Sequence, residues 1–165
     1  MKIVNQINRL FIKKFDHCWV PDFENSLLSG ELSDSNLEKI FIGPQTRFKK
    51  IVEERKNYKY KYLAIISGPE PQRSLLEDEI QNCFLKTNEH CAIINGLTNT
   101  KEISAEKITF YPHLETTAFR ELLTKSEFVI CRSGYSSIMD LYILQKKVLF
   151  IPTPGQTEQQ YLAND

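Results

Sequence analysis

From residue 58 to the end of the chain, short apolar runs alternate with longer amphipathic stretches. Strands buried on both faces of a parallel sheet are nearly continuous in apolar residues, and the helices that connect them are apolar on one face only. The alternation is therefore the pattern of repeated βαβ units. It predicts an α/β fold, in which helices flank a parallel sheet.

The predicted strands are five runs rich in Ile, Val, Phe or Tyr, at residues 60–67, 90–95, 107–111, 128–131 and 148–151. Apolar residues at helical spacing between them predict covering helices. The residues assigned to two buried helix faces are Leu76, Ile80, Cys83 and Phe84, then Ala118, Phe119, Leu122 and Leu123. A third helix is predicted over 136–147. A fourth begins near Thr157 and is still helical in pattern at Asp165, so we expect the domain to be truncated there.

The first 57 residues lack this alternation. They contain two short predicted strands, at 16–20 and 39–42, and a polar loop over 29–36. Basic and apolar residues alternate at near-helical spacing over 9–15. That segment fits a helix packed on its own domain or one that contacts a membrane surface. No run reaches the roughly 20 apolar residues needed to span a bilayer.

Charge and cysteine usage exclude several classes of protein. Twenty-one Lys and Arg residues balance 21 Asp and Glu residues, so no overall field draws the protein to nucleic acid. The three histidines lack the spacing of a metal site, and no metal is predicted. The scattered cysteines favour reduced core thiols, and hence a cytoplasmic protein, over a disulfide framework. They are Cys18, Cys83, Cys91 and Cys131.

Ligands of open parallel sheets bind at the carboxyl ends of the strands, where helix starts offer unpaired N–H groups to anions. The candidate junctions are residues 67–73, 132–137 and 152–157. In the second, Gly134 permits close approach of the backbone and Arg132 adds a charge. The serines there can cap the helix or donate to an anion; they are Ser133, Ser136 and Ser137. An ordinary helix cap explains the same residues, so both interpretations stay open.

Side chains near these junctions add further candidates. Asp140 lies one turn into the third helix, where its carboxylate can bind a ribose diol or stay exposed to solvent. Gln159 and Gln160 open the last helix and can bind sugar hydroxyls. His113 follows a strand and fits a pocket wall or a surface loop. Cys131 is interpreted as a buried structural cysteine rather than an activated thiol.

Taken in order, these junctions resemble the C-terminal half of the MurG-type glycosyltransferases, a GT-B family that holds a nucleotide sugar between two Rossmann-like domains. The similar segments are residues 128–134, 136–141, 146–152 and 158–164. The resemblance implies a Rossmann-like, nucleotide-sugar-binding domain over 58–165. It implies that 1–57 are the end of an acceptor domain and the interdomain connection.

The resemblance also assigns roles to residues of the last two junctions. Asp140 takes the position that binds the donor ribose, while Ser133 and Gly134 lie beside the diphosphate. Gln159 and Gln160 contact the sugar.

Two further loops are assigned in the same way. The loop with Tyr111 and His113 reads the nucleotide base through its backbone, and Ser67 and Gly68 form the first phosphate-facing loop. Helix N–H groups, serine hydroxyls and Arg132 would stabilise the departing diphosphate without a metal.

The chain departs from the family in the first loop, at Tyr135 and at Asp140. The family's first loop is richer in glycine, whereas Pro69, Glu70 and Pro71 stand here, which puts a phosphate contact in doubt. Tyr135 replaces a small residue, and Asp140 is one methylene shorter than the usual glutamate, so the donor can differ from UDP-N-acetylglucosamine.

The implied function is the donor-binding part of a glycosyltransferase, with a UDP-sugar favoured as donor and no cofactor. The missing partner is an N-terminal domain that binds the acceptor and carries the usual catalytic base, so this chain alone is expected to be inactive. The full-length protein is expected in the cytoplasm, with peripheral contact at the inner face of the membrane left open. Two alternatives remain: a nucleotide-sugar hydrolase or epimerase of the same architecture, and a non-catalytic nucleotide-binding module.

Overall fold

The computed structural model describes residues 16–25, 28–29, 38–49, 57–97 and 102–163. The chain divides into two compact units, Met1–Gln45 and Thr46–Asp165. Residues 46–49 therefore group with the second unit, although the predicted functional division lies at 57. The predicted amphipathic segment 9–15 and most of the predicted loop 29–36 lie outside the described residues.

The first unit contains a two-stranded parallel sheet, in which β1 (Cys18–Val20) pairs with β2 (Lys39–Phe41). Asp22 follows β1 and is fully buried. Its carboxylate accepts hydrogen bonds from the backbone N–H groups of Leu28 and Ser29 and from the Ser29 hydroxyl. These bonds satisfy a charge that would otherwise be costly to bury. Both strands lie within the ranges predicted for them.

The second unit is built on a six-stranded sheet with the spatial order β5–β6–β4–β3–β7–β8. Its strands are β3 (Tyr60–Ile65), β4 (Cys91–Ile94), β5 (Ile103–Ala105), β6 (Ile108–Tyr111), β7 (Ser126–Cys131) and β8 (Lys147–Phe150). All neighbouring strands are parallel except β5 and β6. The predicted α/β fold with a Rossmann-like parallel sheet is confirmed.

The antiparallel edge strand β5 was not predicted. It forms a hairpin with β6 through Glu106 and Lys107, with Glu106 at a φ of 51°. All three of its residues are exposed. A short exposed strand leaves no apolar pattern in the sequence, because no face of it is buried.

The helices described after β3 are α1 (Gln72–Leu85), α2 (Thr116–Thr124), α3 (Tyr135–Ile143) and α4 (Thr157–Leu162). Two residues assigned to buried helix faces, Cys83 and Ala118, are exposed instead. Helix α3 also ends four residues before its predicted limit at 147. The chain turns at Gln145, where φ is 50°, and Lys147 begins β8.

Apolar layers cover both faces of the sheet. One layer combines Leu63 and Val129 of the strands with Leu123 of α2 and Leu141 of α3. The other combines strand residues such as Ala64 and Ile93 with a stripe from α1, namely Leu76, Ile80 and Phe84. Helices therefore flank the sheet on both sides, as predicted.

The order of the strands creates one switch point. From β3 the chain moves outward to β4 and β6, and it then returns to place β7 and β8 on the other side of β3. In open α/β sheets, ligands bind outside the carboxyl ends of the strands at such a point. The carboxyl ends of β3 and β7 are therefore the place to seek a site.

Candidate functional site

The three predicted junctions follow three adjacent strands along the carboxyl edge of the sheet. Ile65 at the end of β3 pairs with Cys131 at the end of β7, and Cys131 also pairs with Phe150 at the end of β8. The loops that follow these strands lead into α1, α3 and α4. The topology thus brings together segments that lie far apart in the sequence.

The first loop contacts the third. Gly68 has a φ of 111°, a conformation that residues with a side chain rarely adopt. A Cβ placed on Gly68 would lie 4.0 Å from Thr153 Oγ1, in the loop after β8. Ser67 and Gly68 are both exposed. The backbone of this loop is therefore open to a ligand.

Arg132, in the second junction, is hydrogen-bonded to the backbone of the first and the third. Its Nη1 donates to the carbonyl oxygens of Ile151 and Pro152 at 3.2 and 2.9 Å, and its Nη2 donates to the carbonyl of Gln72 at 3.0 Å. The residue is 6% exposed, and burial lowers the pKa of its guanidinium. Its predicted contact with a diphosphate stays a prediction, because these two nitrogens already bind backbone.

Gln159 of α4 links the second and third junctions. Ser133, which is fully buried, donates its hydroxyl to the Gln159 carbonyl at 2.6 Å. The side-chain Oε1 of Gln159 accepts the backbone N–H of Thr153 at 2.9 Å. Ser133 therefore holds α4 in place instead of capping α3. Gln160, the next residue, is exposed on α4.

The amino end of α3 offers donors to a ligand. Gly134 is the N-cap residue, in an extended conformation, and has no side chain with which to cap the helix. The first N–H groups of a helix have no partner within it and carry a partial positive charge. Ser136 is exposed and Ser137 half-buried, so both hydroxyls lie near the surface of this turn. An anion can approach closely here because glycine leaves space at the cap.

Asp140 lies in α3 and is only 8% exposed, so the alternative of a solvent-exposed carboxylate is wrong. It accepts hydrogen bonds from Thr46 Oγ1 at 2.6 Å and from Arg47 Nε at 3.0 Å. The Arg47 guanidinium also lies over the rings of Phe48 and Phe119, with its carbon 5.2 and 4.7 Å from their centroids. A fixed cation therefore stands beside the carboxylate.

Sequence reasoning missed Thr46, Arg47 and Thr153. The first two are separated from Asp140 by 94 and 93 residues, and no local pattern connects them to it. Thr153 is 2% exposed, and its Oγ1 has no hydrogen-bond partner among the residues that the structure describes. Thr153 lies between two prolines, and nothing in that sequence context predicts that it is buried.

Tyr111 and His113 belong to the same edge but stand farther along it. Their strand, β6, is two positions from β3, about 10 Å at the usual strand spacing. The Tyr111 hydroxyl is 2.7 Å from that of Tyr60, and burial raises the pKa of Tyr111. His113 is exposed, and its backbone N–H donates to the carbonyl of Leu97. Their predicted role beside a nucleotide base stays a prediction.

Cys131 is structural. Burial raises the pKa of its thiol to about 12, so the thiol is protonated at neutral pH, as the structural interpretation requires. All four cysteines are free; Cys91 is also buried, but Cys18 is half-buried and Cys83 exposed, so the expectation of core thiols holds for two of the four.

Neither a cluster of metal ligands nor a membrane-spanning helix occurs in the described ranges. Within them, no group of three or more His, Cys, Asp or Glu residues is arranged to hold a metal ion. No helix in that part of the chain has the length and apolar character to cross a membrane.

Comparison with known proteins places these residues in a family. Residues 49–164 match the family model of the glycosyltransferase family 28 C-terminal domain. The chain is 27% identical over 160 residues to a protein of Sulfurihydrogenibium sp. (strain YO3AOP1), UDP-N-acetylglucosamine--N-acetylmuramyl-(pentapeptide) pyrophosphoryl-undecaprenol N-acetylglucosamine transferase. The alignment covers 86% of this chain and 45% of that relative, so the chain spans less than half of the relative's length. No solved structure gives a significant match.

Proposed function

Because this chain belongs to glycosyltransferase family 28, as a MurG-type GT-B C-terminal domain, we propose that it binds the nucleotide-sugar donor of a glycosyl transfer reaction. We further propose that the donor is a UDP-sugar. The named relative acts on a UDP-sugar. The carboxyl edge of the sheet carries groups that suit each part of such a donor, namely its ribose diol, its diphosphate and its sugar.

One observation carries the proposal: the loops after β3, β7 and β8 meet at the switch point. Gly68 approaches Thr153, Thr153 donates to Gln159, and Gln159 accepts from Ser133. A ligand that reaches this point therefore meets all three loops together. Asp140 lies in α3, the helix that begins at the middle loop.

Different residues would bind different parts of the donor. The carboxylate of Asp140 accepts hydrogen bonds and suits the ribose diol, with Arg47 beside it. The N–H groups at the amino end of α3 suit the diphosphate, because Gly134 permits close approach. The amides of Gln159 and Gln160 both donate and accept, which suits sugar hydroxyls.

In this proposal, catalysis by this part of the enzyme is electrostatic. Glycosyl transfer breaks the bond between the anomeric carbon and a diphosphate oxygen, so negative charge grows on the leaving group. The partial positive charge at the start of α3 and its fixed N–H donors stabilise that charge without a metal. Arg132 contributes by holding the three loops in position.

The acceptor, the catalytic base and the location belong to the whole protein. We propose that an acceptor-binding N-terminal domain completes the enzyme, and that the chain described here binds donor but does not transfer sugar alone. We keep a cytoplasmic location, with peripheral contact at the inner face of the membrane, as part of the same proposal.

Incubation of the purified chain with UDP-N-acetylglucosamine, without acceptor, separates the candidate functions. We expect the sugar nucleotide to stabilise the chain, by about 2.7 kcal/mol at 100 times its dissociation constant, and to remain intact. Thermal unfolding measures the first effect, and chromatography of the nucleotides measures the second. Rapid release of UDP would favour a hydrolase instead. Failure of every UDP-, GDP- and dTDP-sugar to stabilise the chain would contradict donor binding.

A further inference from the structure

The loop before α1 carries a carboxylate where the resemblance puts a donor phosphate. Glu70 lies two residues before Gln72, the first residue of the helix. Its Oε1 accepts a hydrogen bond from Arg73 Nε at 2.7 Å. Its Oε2 accepts the Ser74 hydroxyl at 2.8 Å and the Ser74 backbone N–H at 3.3 Å. The carboxylate therefore sits at the amino end of α1.

These contacts use the groups on which an external phosphate would depend. The N–H of Ser74 belongs to the first turn of α1, where N–H groups have no partner within the helix. The nearby cation, Arg73, is engaged as well: its Nη1 lies 3.3 Å from Glu77 Oε2 and 3.4 Å from the Asn95 carbonyl. The Ser74 and Arg73 donors hold the pKa of Glu70 below its usual range, so the side chain is an anion at neutral pH.

A neutral hydroxyl lies beside the same loop. Thr153 Oγ1 is the heavy atom that a Cβ on Gly68 would meet, and it has no hydrogen-bond partner among the described residues. Thr153 is only 2% exposed. A hydroxyl both donates and accepts, so it suits another hydroxyl. This hydroxyl without a partner is a polar group beside Gly68 that can pair with an uncharged hydroxyl of a ligand, and the anionic Glu70 in the same loop disfavours a phosphate there.

We propose that Glu70 determines which part of the donor enters the first junction. Its carboxylate occupies the amino end of α1, repels the diphosphate from it, and leaves the junction to uncharged hydroxyl groups of the sugar. The diphosphate is then held at the amino end of α3 alone. This inference rests on the proposed donor-binding function and refines it.

Calorimetric titration of Glu70→Gln with inorganic pyrophosphate and with UDP tests the repulsion. Glu77→Gln is the matched control, because Glu77 also contacts Arg73 and carries the same charge, but lies one turn inside α1. We expect Glu70→Gln to bind both ligands about threefold to tenfold more tightly than the wild type, and Glu77→Gln to stay within about twofold. Uridine, which has no phosphate, should bind all three proteins equally.

A second variant, Glu70→Ala, removes the side-chain oxygen that a glutamine retains, and it should show at least the same gain. Equal pyrophosphate affinity of the wild type and both Glu70 variants would overturn the inference, as would an equal gain in Glu77→Gln. A wild type that binds no UDP would contradict the proposed function instead. A gain in pyrophosphate affinity on substitution of Glu70 would still support its role at the start of α1.

Discussion

Replacement of Asp140 by alanine is expected to lower the affinity for a UDP-sugar about 100-fold, which corresponds to about 2.7 kcal/mol. A hydrogen bond to a charged group contributes about 1.5–3 kcal/mol, so the expected loss corresponds to one strong or two weaker bonds from the ribose diol. Thr46 and Arg47 already donate to this carboxylate. A carboxylate offers about four acceptor positions, however, so ribose can bind without displacing both residues. Isothermal titration of the wild type and the variant with the sugar nucleotide measures the change.

Asp78→Ala is the control for Asp140→Ala, because Asp78 is an exposed carboxylate on α1. Its removal should leave the affinity within about twofold, since an exposed charge interacts only weakly across water. Unfolding by urea should show that Asp140→Ala remains folded. The Arg47–Asp140 pair is partly exposed, with 49% of the arginine side chain accessible, so its loss should cost about 1 kcal/mol or less. Unchanged donor affinity in folded Asp140→Ala would refute the ribose role.

Arg132→Met is expected to lower the free energy of unfolding by about 3 kcal/mol. The substitution leaves the carbonyls of Gln72, Ile151 and Pro152 without their donor. Each buried acceptor without a partner lowers stability by about 1–3 kcal/mol. Removal of the buried charge avoids its desolvation penalty, which offsets part of this loss. Chemical denaturation in urea measures the difference.

Two further variants define what Arg132 contributes. Arg132→Lys keeps the charge but has no planar fork, so it should recover only part of the stability. Arg120→Met is the control on α2, where the arginine is half-buried, and it should change the free energy of unfolding by less than about 1 kcal/mol. An Arg132→Met protein as stable as the wild type would show that the three bonds do not hold the junctions together.

The parallel strands could be predicted from the sequence, because burial on both faces makes them nearly continuous in apolar residues. Each of the five lies within two residues of its predicted limits. β5 could not be predicted, because its three residues are exposed. The end of α3 was predicted four residues too late, because Lys146 and Lys147 suit a helix terminus as well as the turn and strand that they form.

That the three junctions meet could also be predicted, because the carboxyl ends of adjacent parallel strands share one edge. The partners of individual side chains could not. Arg132 was expected to face an anion, yet two of its nitrogens bind carbonyls up to 60 residues away. Arg47 stands beside Asp140 only because the chain folds back across the whole domain. Such long-range pairs leave no spacing that a single sequence reveals.

In the proposed function, one crevice at the switch point binds the whole donor. Titration of ¹⁵N-labelled protein with UDP-N-acetylglucosamine, followed by amide chemical shifts, shows whether one crevice contacts the whole donor. We expect concerted shifts at Gly68, Gly134 and Gln159, with one dissociation constant for all three, and no shift at Lys61 or Lys107 on the amino side of the sheet. Shifts confined to the amino side of the sheet, or three unrelated dissociation constants, would contradict binding of the donor in one crevice.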